Sequence, residues 1–321
     1  MASRVAGIDA VRVLGVVAIV AGHVWTTGVV RDAVFPWHVP IFFVLSGYFW
    51  SDRRSLRDEV NKRTSTLLVP YVAWALLIGV PLISLLLVRG DHSWQGIAKS
   101  MVLGGHFAVR PFSAFWFLTA LFATCIVARA LPELACWACG AALTLAMALA
   151  PGVARDVPES LGLLGPGLIL LLLGRRLRRL EPSVPARPLV GLLAVAVGIG
   201  LTVADVVRPV DLKQADLGTP VASLLVSLLV SGGLVLVGSS LSLDGLLGDW
   251  AQRLAQASLV VVLSHAAVLY ALHTPAHGNA QSFVAAVLLP WAAGLVLLRT
   301  RLAPLLCGSP QIAEKADALN A

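Results

Sequence analysis

The stretch from Gly7 to Val30 places three ionisable side chains, Asp9, Arg12 and His23, inside an otherwise apolar run. The run is long enough to cross a bilayer as one α-helix. An ionisable group at membrane depth is costly unless it faces the interior of a helix bundle or a water-filled cavity. The stretch therefore predicts a membrane helix with one functional face rather than a simple anchor.

Helical geometry places the three groups on the same side of this helix. At ~100° per residue, Arg12 and His23 lie within about 20° of each other in projection, and Asp9 lies about 40° from His23. The rise from Arg12 to His23 is ~16 Å, about half of a ~30 Å hydrocarbon core. We therefore expect a cation near one membrane surface and an imidazole near mid-depth.

The composition indicates a membrane protein with little room for a soluble domain. Of the 321 residues, 58% are hydrophobic and 13% are charged, whereas soluble domains carry about 25% charged residues. The net charge is +7, but the basic residues lie in short loops between apolar runs, so no nucleic-acid partner is expected. The four cysteines lie in or beside apolar segments and predict neither a disulfide framework nor a metal site.

Apolar runs recur along the chain, and about ten of them approach the length that a membrane helix needs. The fold class predicted is therefore an all-α, polytopic membrane helix bundle. Asp9 and Arg12 interrupt the entry to the first run and no small-residue cleavage site follows it, which favours an uncleaved span over a signal peptide. Residues 1–310 form one predicted membrane domain, followed by a short cytoplasmic tail at residues 311–321. The predicted spans are Val11–Val30, Trp37–Trp50, Leu67–Val88, Phe112–Leu131, Leu134–Ala150, Leu161–Gly174, Leu189–Val207, Val221–Ser239, Leu254–Leu272 and Phe283–Leu298.

The distribution of basic residues predicts the orientation. With ten spans and the amino terminus inside, the inner loops hold most of the lysines and arginines, above all in residues 53–63 and 175–187. This asymmetry follows the positive-inside rule and places both termini in the cytoplasm. The longest predicted outer loop, Arg89 to Pro111, mixes polar and aromatic residues. Such a loop suits contact with a sugar, and a solvated linker has the same composition.

His23 is the leading candidate for chemistry. A neutral imidazole is suited to taking a proton from a hydroxyl near neutral pH; the alternative is a structural histidine that links two helices by a hydrogen bond. Arg12 is a permanent cation suited to a phosphate or a thioester carbonyl. An ion pair with Asp9 is the alternative for Arg12, and the two roles are compatible if Asp9 positions the guanidinium.

Two further stretches carry polar groups at the predicted membrane boundaries. In Pro40–Tyr48, Ser46 is a candidate hydrogen-bond partner for His23 or for a substrate, and Gly47 permits close helix contact. Helix packing alone also accounts for this stretch. The basic residues 53–63 suit an anionic ligand such as a nucleotide-bearing cofactor, while positive-inside topology and anionic lipid provide the alternative explanation.

These residues together resemble the acyltransferase 3 family of bacterial membrane O-acyltransferases. The first span of that family carries an Asp, then an Arg and, after ten more residues, a His, which Asp9, Arg12 and His23 match. Weaker matches cover most of the chain. They are Phe42, Phe43, Ser46 and Gly47 in the second span, Lys62, Arg63, Pro70 and Tyr71 at a basic Pro-Tyr turn, Trp116, Phe117 and Leu118 in a later span, and His265 in a late span.

The chain departs from the family pattern at one position. The family commonly has a second basic residue four positions before the Pro-Tyr proline, where this chain has Thr66. The charge at a cofactor site is then expected from Lys62, Arg63 or Arg57. The chain resembles the stand-alone type of the family, since no soluble hydrolase-like domain follows the last predicted span.

The resemblance implies a membrane-embedded O-acyltransferase of the bacterial cytoplasmic membrane. Such an enzyme moves an acyl group, most simply acetyl, from cytoplasmic acyl-CoA to a hydroxyl of a sugar, a cell-envelope glycan or another glycosylated acceptor. Acyl-CoA is then a co-substrate, and neither a tightly bound cofactor nor a metal is expected. The implied roles are catalysis by His23, Arg12, Asp9 and Ser46, cofactor binding by Arg12, Arg57, Lys62, Arg63 and Tyr71, and substrate binding by His38, Phe43, Trp116 and His265.

Two other functions stay open on the sequence. A proton-coupled transporter or exporter would use His23 as a proton relay, although the predicted spans beyond the first are nearly free of carboxylates. A non-catalytic sensor of lipid or ligand is the second alternative. The partners expected are acyl-CoA, the acceptor and membrane lipids, and the sequence does not predict the oligomeric state.

Overall fold

The computed structural model describes residues 6–311, and within that range every regular element is a helix. The α-helices of the first half are α1 (Ala6–Val24), α2 (Val29–Val34), α3 (Pro40–Tyr48), α4 (Leu56–Arg63), α5 (Val69–Val88), α6 (Trp94–Leu103), α7 (Trp116–Ala130) and α8 (Glu133–Leu149). Those of the second half are α9 (Pro151–Asp156), α10 (Leu164–Leu180), α11 (Arg187–Val203), α12 (Pro220–Ser240), α13 (Gly245–Ala271), α14 (Ala280–Leu297) and α15 (Ala303–Cys307). The prediction of an all-α fold is confirmed.

Short helical turns connect several of these helices. A π-helical turn at Thr64–Leu68 joins α4 to α5 in one continuous helix of 33 residues. Turns of 3-10 helix occupy Gly105–Phe107, Pro158–Leu163, Glu181–Ser183 and Leu212–Gln214. The predicted tail at residues 311–321 lies almost wholly outside the described residues.

Six helices in residues 6–311 are long and apolar enough to cross a membrane. They correspond to the first, third, sixth, eighth, ninth and tenth predicted spans. The fourth, fifth and seventh correspond to the apolar helices α7, α8 and α11, which have 15, 17 and 17 residues. The second corresponds to α3, whose nine residues reach only about 14 Å and are too short to cross alone. The count of ten spans and the cytoplasmic position of both termini therefore stay predictions.

The first helix begins and ends earlier than predicted, and this changes the position of His23. Helix α1 ends at Val24, before Thr26, Thr27 and Gly28, and Gly28 adopts a φ of 76° that suits glycine. His23 is therefore in the last turn of a 19-residue helix, about 26 Å from its first residue. His23 thus lies at a helix end, and its depth in the membrane stays a prediction because it depends on where the membrane boundaries fall.

Helix α1 lies inside the bundle, in contact with α12, α13 and α14. At its start, Gly7 packs against Gly238 and Leu241 at the end of α12. The short α3 begins beside the end of α1 and runs in the opposite direction, because Val39 and Pro40 lie near His23 while Phe42 packs against Gly15. The two helices therefore run antiparallel, and α3 extends along only part of α1.

Helices α3 and α10 approach each other through two glycines. A Cβ atom added at Gly47 would overlap the carbonyl oxygen of Leu171, and one added at Gly174 would overlap that of Val44. Small residues allow such backbone contact between membrane helices. The prediction that Gly47 permits a close helix contact is confirmed.

We predict that Gly47→Ala destabilises the protein by about 1–3 kcal/mol, because the added methyl group forces α3 and α10 apart. Gly200→Ala is the matched control, since it places the same methyl group on α11 where no atom lies within 4 Å. Thermal unfolding of the purified protein in detergent measures both. Equal melting temperatures for the two variants would contradict the packing described.

Candidate functional site

A cavity of about 200 Å³ lies at the end of α1 that carries His23. Its walls come from α1, from α2 and the start of α3, from the start of α7, and from the loop between α11 and α12. The polar lining residues are His23, Thr26, Arg31, His38, Asp211, Lys213 and Gln214, and the aromatic ones are Phe35, Trp116 and Phe117. The cavity is therefore amphipathic and includes an imidazole, a feature typical of sites that orient a small polar ligand.

The segment before α7 holds His23 from two directions. The hydroxyl of Ser113 lies 3.2 Å from His23 Nδ1. Arg110 donates one hydrogen bond to the His23 carbonyl and another to the Thr274 carbonyl, both at 2.7 Å. The last carbonyls of a helix have no partner within the helix, so Arg110 both satisfies the end of α1 and ties it to the loop before α14.

A second histidine packs against the first. The His265 ring of α13 meets the His23 ring edge-on, with centroids 4.9 Å apart and planes at 66°. His265 is fully buried, and its Nδ1 lies 2.8 Å from the Val261 carbonyl. Because a carbonyl oxygen only accepts, Nδ1 carries the proton of the neutral ring and Nε2 is left as an acceptor. In residues 6–311, this buried Nε2 has no hydrogen-bond partner.

The loop between α11 and α12 forms a charged wall. Asp211 and Asp216 pair through their backbones, and the Asp211 carboxylate lies 3.5 Å from the Arg31 guanidinium. Lys213 reaches across to donate a 2.6 Å hydrogen bond to the Ala108 carbonyl. Burial lowers the pKa of Lys213 to about 8 and raises the pKa of Asp211. Removal from water thus disfavours the charged form of both side chains in this loop.

The structure brings four of the predicted site residues together. His23, His38 and Trp116 line the cavity, and His265 contacts His23. His38 is held by a 3.0 Å hydrogen bond between its Nδ1 and the Val34 carbonyl. These residues are separated by up to 242 positions in the sequence (265 − 23), so the bundle alone unites them.

Phe43 and Ser46 are not at this cavity, contrary to the prediction. Phe43 is 1% exposed and packs edge-on against Phe117 at 5.9 Å, so it belongs to the core. Phe42 lies beside Gly15, which is already about 12 Å below His23 along α1. Ser46 follows the cavity-lining Pro40 by six residues of the antiparallel α3, a rise of about 9 Å away from the cavity. Among the described residues, the hydroxyl beside His23 is that of Ser113.

Arg12 and Asp9 lie at the opposite end of α1 from the cavity. They form an ion pair of 3.4 Å, with Asp9 buried and the Arg12 side chain 37% exposed. The alternative considered for Arg12, an ion pair with Asp9, is present, and a role in ligand binding stays a prediction. Arg12 is separated from His23 by eleven residues, a rise of about 16 Å, so the two do not share one cavity wall.

The basic segment contains both engaged and accessible cations. Glu59 is fully buried and accepts hydrogen bonds from Arg63 at 2.7 Å and Arg54 at 2.9 Å, while Arg129 lies 3.8 Å away. Arg63 is thus committed to a carboxylate inside the protein. Arg57 and Lys62 are exposed. Of the three cations in this segment that were predicted to hold a cofactor, Arg57 and Lys62 are the exposed ones.

Tyr71 is turned into the protein, away from the basic segment. Its hydroxyl donates to the carboxylate of Glu159, with oxygen distances of 3.1 and 3.2 Å, and its ring packs edge-on against Phe115. The predicted contact of Tyr71 with a cofactor therefore has no support from the position of its hydroxyl. Nothing in the sequence pattern singles out Glu159 as its partner.

Sequence reasoning missed four residues at this site: Arg110, Ser113, Asp211 and Lys213. Arg110 belongs to the loop from Arg89 to Pro111 that was considered suited to a sugar, but its aim at the end of α1 depends on the folded chain. The charged residues near 211 stand out only as polar positions between two apolar runs. No spacing rule connects them to His23.

A family model that describes an acyltransferase domain matches residues 5–299, nearly the whole chain. The chain belongs to the acyltransferase 3 family. This result confirms the resemblance carried by Asp9, Arg12 and His23. No curated protein and no solved structure matches the chain. As a member of this family, the protein is a membrane acyltransferase, and the histidine of its first helix lines the cavity described above.

We predict that Arg110→Lys destabilises this acyltransferase, because one ammonium cannot reproduce both hydrogen bonds of the guanidinium. A lost hydrogen bond to a charged group costs about 1.5–3 kcal/mol. Arg89→Lys is the control, since Arg89 is exposed. Thermal unfolding in detergent should show a lower melting temperature for Arg110→Lys alone. A stability unchanged from wild type would show that Arg110 does not hold the end of α1.

Proposed function

We propose that this protein transfers an acyl group, most simply acetyl, from acyl-CoA to a hydroxyl of a sugar or glycan, and that His23 is the base. The observation that carries the proposal is the position of His23. Its imidazole lines a cavity with polar and aromatic walls and is held by Ser113, beside a buried second histidine. A held imidazole facing a ligand-sized space is the arrangement that general-base catalysis requires.

The two ends of α1 suit the two substrates. The exposed cations Arg57 and Lys62 follow α3 on the side away from the cavity and are candidates for the phosphates of CoA. The pantetheine arm then extends past Arg12, and the ~16 Å to His23 is a distance that such an arm can cover. The acceptor enters from the cavity end. With the amino terminus in the cytoplasm, this end faces the outside of the bacterial cytoplasmic membrane.

The proposed reaction conserves atoms and charge. The acceptor oxygen forms a bond to the thioester carbonyl carbon while His23 takes the hydroxyl proton. The carbon–sulfur bond then breaks, the ester is released, and the CoA thiolate takes the proton from the imidazolium. In the alternative route, His23 attacks the thioester carbonyl carbon and the carbon–sulfur bond breaks to release the CoA thiolate. The acceptor oxygen then bonds to the acyl carbon, the bond to His23 breaks, and the hydroxyl proton goes to the thiolate. Arg12, positioned by Asp9, is suited to stabilise charge on the donor.

Ser113 is proposed as the residue that positions His23. If Nδ1 carries the proton and donates to the Ser113 hydroxyl, Nε2 is free to accept the proton of the acceptor. The same hydrogen bond strengthens as the ring becomes an imidazolium, because bonds to charged groups are stronger than neutral ones. His265 and Trp116 complete the surroundings of the reacting hydroxyl.

We predict that His23→Ala lowers acyl transfer at least about 100-fold, the size typical of a lost general base. Membranes that contain the protein are incubated with labelled acetyl-CoA, and the label is measured in glycan, lipid and small-molecule pools. His92→Ala is the control, because His92 is exposed. Near-normal transfer by His23→Ala would refute the scheme. Intact acetyl-CoA and no labelled product with the wild type would favour the transporter instead.

We predict that the two serines differ in their effect on this activity. Ser113→Ala should lower kcat about tenfold or more, since it removes a hydrogen bond to the charged imidazolium, and Ser113→Thr should recover part of the loss by restoring the hydroxyl. Ser46→Ala should stay near wild type because Ser46 does not line the cavity at His23. If Ser46→Ala lowered kcat more than Ser113→Ala, Ser46 and not Ser113 would be the residue that orients His23.

A further inference from the structure

Lys213 is the feature of the cavity that general-base catalysis does not use. Its loop is fixed by the backbone pairing of Asp211 with Asp216, at 2.8 and 3.0 Å, and its ammonium donates to the Ala108 carbonyl. An ammonium has three donors. The Ala108 carbonyl uses one of them, and the residue lines the cavity. Two donors therefore stay available to a ligand.

Lys213 also differs from the other lining cation in its charge balance. Arg31 lies 3.5 Å from Asp211 and 3.7 Å from Asp32, so carboxylates compensate it. In residues 6–311, no carboxylate oxygen lies within 4.0 Å of Lys213 Nζ. Asp211, two positions earlier, acts on Lys213 only through space and is itself in an ion pair with Arg31. Removal of a cation from water is costly, and burial lowers the pKa of Lys213 to about 8. An anionic group of a ligand would compensate the charge of Lys213.

The rest of the cavity limits the kind of anion. Its volume of about 200 Å³ is small beside the roughly 300–1,000 Å³ of typical ligand pockets, which suits one sugar ring rather than an oligosaccharide. Trp116, Phe117 and Phe35 provide aromatic surface for the apolar face of a ring. Gln214 and Thr26 offer hydrogen bonds to hydroxyls. One unpaired ammonium matches a monoanionic carboxylate better than a doubly charged phosphate.

We propose that the loop around Lys213 is the acceptor subsite, and that Lys213 binds the carboxylate of an acidic sugar of the uronic-acid type. This inference rests on the proposed function, because it treats the cavity at His23 as the acceptor site. The carboxylate orients the ring so that one of its hydroxyls faces His23. Lys213 then acts in recognition of the acceptor and takes no part in proton transfer.

The test measures binding without acyl-CoA. Labelled methyl glycosides are compared in neutral and uronic-acid pairs of the gluco, galacto and manno series, by equilibrium dialysis against the purified protein in detergent. At least one acidic sugar should bind about tenfold or more tightly than its neutral partner, as expected for a charge-assisted hydrogen bond. Lys213→Met should abolish this preference, and Lys213→Arg should retain most of it.

Lys99→Met is the matched control. Lys99 is exposed, stacks on Phe107 and is not among the residues that line the cavity, so its loss removes the same charge from the same predicted outer face. The melting temperature of Lys213→Met shows whether the variant is folded. If it is not, the wild-type comparison and Lys213→Arg still decide the question.

Three results would overturn the inference: no acidic preference in any wild-type pair, no binding of any of these sugars, or a preference that survives Lys213→Met. Acetyl transfer is measured separately. If the preference depends on Lys213 while acetyl-CoA stays intact, the proposed function fails and the binding site stands. If acetyl is transferred without an acidic preference, only the subsite assignment fails.

Discussion

The end of α1 is the point on which the site depends, because a helix that ends inside a bundle leaves carbonyl groups without partners. Arg110 satisfies the carbonyl of His23 and joins it to that of Thr274. This single guanidinium connects α1, the segment before α7 and the loop before α14. His23 therefore lies at a helix end that charge-assisted hydrogen bonds hold in place. The cavity beside it is lined partly by loops and not by continuous helices alone.

The two ends of α1 have different electrostatic characters. At the first end, the Asp9–Arg12 pair and the arginines around Glu59 are largely committed to carboxylates, while Arg57 and Lys62 are exposed. At the other end, His23, His38 and the Arg31–Asp211 pair line a cavity in which Lys213 has no carboxylate within 4.0 Å among the described residues. The proposed transfer from acyl-CoA to a sugar hydroxyl would use both ends, one for each substrate.

Much of the site could be predicted from sequence, and the failures have one cause. Four predicted site residues could be recognised from their residue types and their places in the sequence, and the fold brings them together: His23, His38, Trp116 and His265. Ser46 and Phe43 were assigned by their motif, but the antiparallel course of α3 carries Ser46 away from the cavity and buries Phe43 against Phe117. Ser113 could not be found because the cavity wall is built from segments 90 residues apart in the chain. Likewise, hydropathy located the apolar runs, but it did not show at which residue each helix ends.

The sequence by itself determined that the chain is an all-helical membrane protein of the acyltransferase 3 family, since apolar length and the Asp, Arg and His of the first helix are local properties. Tertiary structure alone decided what surrounds His23. The partner hydroxyl, the second imidazole and the charged loop reach it through helix packing and through hydrogen bonds between distant segments. Such contacts depend on helix direction and on where each helix stops, and neither quantity is encoded in the spacing of residues along one segment.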